Sequence, residues 1–222
     1  MKRYFTISHV ALGLAAVTMA TGLVASANAA VYSAADDFSI ANGNLDGPWA
    51  YGEGTPGHDF TPFVTTLSGG AFGSDDFKFW QSTTPQYGVP MVGKTVGQTP
   101  FAVSTLLVLP GVLLVHPGVK SDVIVQWTAP KSGKYTYRGS FALLDESPSG
   151  VVGKVFKNGV QLFKVVLTGP GANQGRKTAG QSKQFSGTVT VSQGDHLSFA
   201  VNNDGNVFYD STGLTATISS VP

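Results

Sequence analysis

From about residue 60 to the end of the chain, hydrophobic and polar positions trade places at every second residue rather than at the third and fourth. That is the period of a strand whose two faces meet different surroundings. In Val123-Ile124-Val125-Gln126-Trp127 the residues Val123, Val125 and Trp127 share a face, which places Trp127 in a core; Tyr135, Tyr137 and Phe141 share one in the next run. Ala129 to Gly133 between them reads as a compact turn. VVGKVF and VQLFKVVL flank Lys157-Asn158-Gly159, and Asn-Gly accepts the positive φ angles of a tight hairpin. A second hairpin is expected from Thr188 to Ser192 and His196 to Val201 around Gln193-Gly194-Asp195, with Leu197, Phe199 and Val201 inward. Gly213 to Ile218 forms a last strand, and shorter strands are expected near Phe60 to Thr66, Phe77 to Gln81, Thr105 to Val108 and Val112 to Val115. About eight to ten short strands at this spacing predict an all-β, antiparallel two-sheet sandwich, jelly-roll-like.

The N-terminus has a different pattern. Lys2 and Arg3 precede a small apolar run from Val10 to Val24, and Ala27-Asn28-Ala29 offers the small residues that signal peptidase accepts. Thr18, Thr21 and Gly22 interrupt that run, which falls short of the roughly 20 apolar residues of a spanning helix. The expected organisation is a signal peptide over 1–29 and a single β-sandwich domain over 30–222, secreted or periplasmic, with no membrane insertion after signal removal.

Composition narrows the function classes. Without Lys2 and Arg3, the 14 basic residues fall to 12 against 13 acidic ones, so the mature chain is near neutral and unsuited to electrostatic capture of nucleic acid or anionic lipid. No cysteine is present, which excludes disulfides, thiolate nucleophiles and thiolate metal ligands. Glycine accounts for 28 of 222 residues, above the usual level of about 7%, as a turn-rich β protein requires.

Catalytic signatures are lacking. There is no Gly-x-Ser-x-Gly, and His58, His116 and His196 lack the spacing that sets two imidazoles on one helix face. Gly169 to Thr178 resembles a phosphate loop but fails on spacing: Pro170 stands where glycine is needed, and Arg176 separates Gly175 from Lys177. Glycoside hydrolysis needs two opposed carboxylates, and adjacent ones such as Asp75 and Asp76 point to opposite faces of a strand. No catalytic residue is assigned.

Two constellations remain. Asp36 and Asp37 open the domain, and Asp204 and Asp210 lie with Asn202, Asn203 and Asn206 before its last strand. If the chain ends meet, these oxygens suit one structural calcium ion, although Asn and Asp also serve ordinary turns. In the stretch NGNLDGPWAYG, Trp49 and Tyr51 share a side when extended, near Asn44, Asp46 and Glu53. Rings of this kind stack on the apolar face of a sugar while polar neighbours take its hydroxyls. Trp80 takes the face opposite Phe77 and Phe79, so one of the two sets is expected to face solvent; Tyr209 and His116 at strand ends complete the candidate ligand set.

From His116 to Ile218 the succession HPG, VQWTAPKSGKY, RGSFALLD, VFKNGVQLF, VSQGDHLSFAV and NVFYDSTGL, preceded by DDFSIANGNLDGPWAYG, resembles the secreted β-sandwich domains of bacterial cell-surface and sorting-tagged exported proteins. The resemblance implies a galactose-binding-like or carbohydrate-binding-module-like jelly roll without catalytic machinery. Such proteins often end in a sorting tail; this chain ends Ser219-Ser220-Val221-Pro222, so anchoring by that route is not expected. The expected function is non-catalytic binding of a glycan or cell-surface polymer. The alternatives are a structural matrix or envelope protein acting by self-association, and a polysaccharide-active hydrolase or lyase.

Overall fold

Alternation along the chain resolves into sixteen strands and, among the described residues, no α-helix. The computed structural model describes Met1 and residues 29–41, 43–45, 47–68, 76–83 and 90–222. The expected leader therefore lies almost wholly outside the described residues, as do Asn42, Asp46 and Asp75.

In chain order the strands are β1 (Val31–Ser33), β2 (Trp49–Thr55), β3 (Asp59–Pro62), β4 (Thr65–Ser68), β5 (Phe77–Gln81), β6 (Met91–Thr95), β7 (Phe101–Val103) and β8 (Leu106–Val108). There follow β9 (Leu113–His116), β10 (Asp122–Thr128), β11 (Gly133–Leu143), β12 (Val151–Lys157), β13 (Val160–Leu167), β14 (Ser182–Val191), β15 (His196–Asn202) and β16 (Thr212–Ser220). One sheet runs β14-β11-β16-β9-β6-β5-β4, with β1 added on β16; the other runs β13-β12-β15-β10-β2-β3; β7 and β8 form a separate pair. Every ladder is antiparallel, so the protein is an all-β sandwich.

The main core lies between the two large sheets. Val123, Val125 and Trp127 of β10, Leu197, Phe199 and Val201 of β15, and Phe141, Leu214 and Ile218 from the opposite sheet meet there. Trp127 is fully buried and packs edge-on against Tyr135. A second, smaller core forms where the β7–β8 hairpin covers the outer face of the first sheet, enclosing Phe77, Phe79, Phe101 and Leu114. Covering on that side explains why none of the three rings of β5 meets solvent: Phe77 and Phe79 enter the small core and Trp80 the large one.

The Asn158-Gly159 turn is the expected hairpin, with φ of 45° and 83° joining β12 to β13. The second expected hairpin is not one. β14 pairs with β11 and β15 with β10 and β12, so Ser192 to Asp195 carries the chain from one sheet to the other. Ala129 to Ser132 does the same between β10 and β11, and the two corners clasp each other through Ala129 N–H to Asp195 O at 2.8 Å and Gly194 N–H to Ala129 O at 2.9 Å. Alternation fits both arrangements, because it fixes which side chains face inward and leaves the neighbouring strand open.

Candidate functional site

The expected aromatic platform is part of the interior. Trp49, Tyr51 and Trp80 are 3%, 3% and 4% exposed and belong to the inter-sheet core. The Trp49 indole N–H donates to Asp37 Oδ2 at 3.1 Å, its ring lies against Phe199, and the Trp80 N–H donates to Ser39 O at 2.8 Å. Asn44 turns back beneath the same stretch: its amide donates to Tyr51 O and Phe63 O, and its carbonyl accepts from Tyr51 N–H. The stretch is thus a clasp that pins the Gly-Pro loop onto β2. The space beside it, lined by Asp37, Asn44, Trp49 and Tyr51, is about 60 Å³, far below the roughly 300 Å³ at which ligand pockets begin.

His116 ends β9 and is partly buried, with Nδ1 bonded to Pro117 O at 2.9 Å. Burial lowers its pKa, against the opposing pull of that carbonyl and of Asp145, and favours the neutral ring. Tyr209 is the one member of the ligand set on the surface, 53% exposed beside exposed Phe208, with a left-handed φ of 60°.

The four acidic candidates are spent separately. Asp37 holds Trp49 and the Ser33 N–H, and Asp36 and Asp204 are exposed. Asp210 is fully buried beside Ser149, whose hydroxyl lies 2.5 Å from Asp210 Oδ1 and 2.8 Å from Phe208 O. Burial, joined by repulsion from Asp145 and Asp204 and opposed by the Ser149 bond, pushes the Asp210 pKa up to about 7. Among the described residues no three His, Cys, Asp or Glu side chains gather as a metal site.

A different place has the properties of a binding cleft. On the outer face of the second sheet, Ile124 and Gln126 of β10 and Ser198 of β15 line a floor that two turns overhang. The turn Pro56-Gly57-His58 joins β2 to β3, and Asn158-Gly159 joins β12 to β13. Gly57 and Gly159 meet backbone to backbone, at φ of 84° and 83°; a Cβ on Gly57 would overlap the Gly159 Cα, so only glycine permits the contact. Gly52 does a similar service, since its missing side chain leaves room for the Phe60 ring to lie over the sheet.

The rim of this cleft is polar and well supported. Asn158 donates to Asp195 Oδ1 at 2.9 Å and accepts the His196 N–H at 2.7 Å, while Lys157 pairs with Asp195 at 3.2 Å. The Ser192 N–H, Asn158 and Lys157 together hold the Asp195 pKa down to about 2. His196 Nδ1 bonds the Thr128 hydroxyl at 3.1 Å, and Gln126 donates to Ser198 Oγ at 3.3 Å. The cleft measures about 440 Å³. It brings together His58 and His196, far apart in sequence, which no spacing motif relates. The one sequence signal was Asn158-Gly159, legible as a turn and silent about what the turn overhangs.

No protein-family model matches the chain, and none of the curated proteins matches it. Among solved structures it is similar to that of dimeric latent PorU from Porphyromonas gingivalis, at a TM-score of 0.31 and 14% identity over 45% of this chain. This chain spans 10% of the length of that one. Among the described residues no helix is long and apolar enough to cross a membrane.

Proposed function

We propose that the protein is an exported, non-catalytic β-sandwich that binds a glycan or cell-surface polymer in the cleft over β10 and β15. The leader-like N-terminus supports export. The observation that carries the reading is the cleft's amphipathic lining: the half-buried Phe60 ring beside Gln126, Ser198, Asn158 and two histidines, with Ile124 buried in the floor. A pyranose offers an apolar face and a ring of hydroxyls, and a site of this kind meets both. Among the described residues the lining carboxylate Asp59 accepts the Thr55 N–H at 2.9 Å and the rim carboxylate Asp195 is held by Asn158 and Lys157, which supports a binding role for both over acid–base work on a glycoside.

Affinity electrophoresis against a panel of soluble polysaccharides tests it. At least one polymer should retard the wild type, and Phe60→Ala and Gln126→Ala should each weaken retardation about fivefold or more, the loss of roughly 1 kcal/mol of contact. Trp49→Phe, inside the core, should leave it unchanged. Retardation that persists in both cleft variants would move the site elsewhere, and release of reducing ends would restore the enzyme reading.

Self-association is the second reading, favoured by β13. This strand ends its sheet and carries exposed Val160 before a bulge and exposed Leu162 and Val166 beyond it, the last two on its outer face. An unpaired edge with apolar side chains is a template for another strand.

A further inference from the structure

We infer a second, anion-selective site at the mouth of the sandwich, where Lys78 and Lys94 face each other across β5 and β6. The register pairs these two residues directly, and alternation puts them, half-buried, on the same face as Trp80 and Val92. Like charges directly opposed on one face of a ladder repel, so a sheet that keeps them gains from a group that neutralises both.

Neither lysine belongs to the two ion pairs among the described residues, Lys154 with Asp122 and Lys157 with Asp195, which lie on the other sheet and its corner. Lys94 spends one N–H on the carbonyl of Ala35, which anchors its ammonium and leaves two donors. Asp37, close in sequence to that carbonyl, is committed to Trp49 and the Ser33 N–H.

A pocket of about 210 Å³ lies against the pair, walled by Phe38 and Ile40 and lined also by Thr95. Two ammonium groups and an apolar wall recognise a small oxyanion carried on a carbon skeleton. The volume suits one acidic group with part of its ring, not an oligosaccharide chain. The ligand class is therefore a carboxylate or sulfate ester borne by a polymer, as in a uronic acid or a sulfated sugar. This site is separate from the cleft over β10 and β15, and it stands whether or not that cleft binds a neutral glycan.

Titration calorimetry of the full-length mature protein with trigalacturonate, with a sulfated trisaccharide and with neutral maltotriose tests the inference. One of the acidic probes should bind at low salt, maltotriose should not compete for that site, and the probe that binds distinguishes carboxylate from sulfate. Lys78→Gln should weaken the acidic probe about fivefold or more, the scale of one charge-assisted contact, whereas Lys78→Arg should retain it. Phe60→Ala, in the other cleft, should leave acidic binding unchanged, which keeps failure of the two sites distinguishable. Lys78→Gln relieves the repulsion with Lys94, so its melting temperature should hold or rise; it serves as the folded comparison even if Lys94→Gln, which loses the Ala35 bond, does not fold. Absence of heat with both acidic probes, or equal affinity in wild type and Lys78→Gln, would overturn the site.

Discussion

At the scale of single residues, the buried polar groups set the protein's response to substitution and to pH. Asn44 satisfies both backbone groups of Tyr51 and the carbonyl of Phe63 with one amide. Its removal strands them in a dry place, so Asn44→Ala should cost about 2–3 kcal/mol in a urea titration. Asp210 governs the pH response. Its carboxyl is fully buried, one oxygen has no partner, and its pKa rises from 3.8 to about 7. A raised acid binds its proton more tightly when folded than when unfolded, so the contribution is intact below the unfolded value and is lost as pH climbs through that interval. Melting temperature should therefore fall between about pH 4 and pH 7 and then level, with a loss of about 1–3 kcal/mol. Asp210→Asn, which keeps the shape without the charge, should remove that slope and be the more stable form at pH 8. The difference between the two pH profiles isolates this group from His116, whose lowered pKa tilts both profiles alike. Identical slopes would show that Asp210 ionises freely in the folded protein.

Among the strands, exposure and pairing together define what each can do. β13 closes its sheet with Phe163, Val165 and Leu167 turned inward and Leu162, Lys164 and Val166 outward, so its free backbone edge runs beside an apolar stripe that one lysine interrupts. If the protein assembles through this edge, sedimentation should reveal growth with concentration, and Leu162→Lys should abolish it while leaving the melting temperature within a degree or two, since exposed substitutions rarely exceed about 0.5 kcal/mol. A wild type that stays monomeric throughout removes the edge from consideration. The same strands mark what the sequence could and could not disclose. β5, β12, β13, β15 and β16 were legible from alternation and from Asn158-Gly159, as was the inward set Val123, Val125 and Trp127. Sheet membership was not: β14 and β15 look like a hairpin because a four-residue connection suits a hairpin and an inter-sheet corner equally. The Trp49 and Tyr51 platform failed for a related reason. Alternation shows that two rings share a side, and only the position of the second sheet shows that this side is the core. The cleft escaped notice because its walls are two turns about a hundred residues apart, joined by a glycine contact that carries no periodic signal.

For the molecule as a whole, the path of the chain between sheets decides how it should fold and how binding can be followed. From β10 onward the chain crosses from one sheet to the other at almost every connection, and β1 closes against β16, with Val31 opposite Ser219. Nearly every ladder outside the β12–β13, β2–β3, β4–β5 and β7–β8 hairpins joins distant segments, which is the topology of slow two-state folders, in the range of about milliseconds to seconds. Trp49, Trp80 and Trp127 all belong to the inter-sheet core and come from three strands and both sheets, so their emission reports the meeting of the two layers. Folded protein should emit at short wavelength with little quenching by acrylamide. Urea unfolding followed by this emission and by far-UV circular dichroism should coincide, because one core spans both sheets and neither layer can keep its buried face alone. A first transition in dichroism that leaves the tryptophans protected would instead assign the β7–β8 cap and its small core to an independent unit. The same placement sets apart ligand effects: a polymer held over Ile124 and Phe60 lies on the far side of the sheet from all three indoles. Saturating it should leave tryptophan emission unchanged while raising the unfolding midpoint, and a large spectral shift on binding would mean that the ligand enters between the sheets.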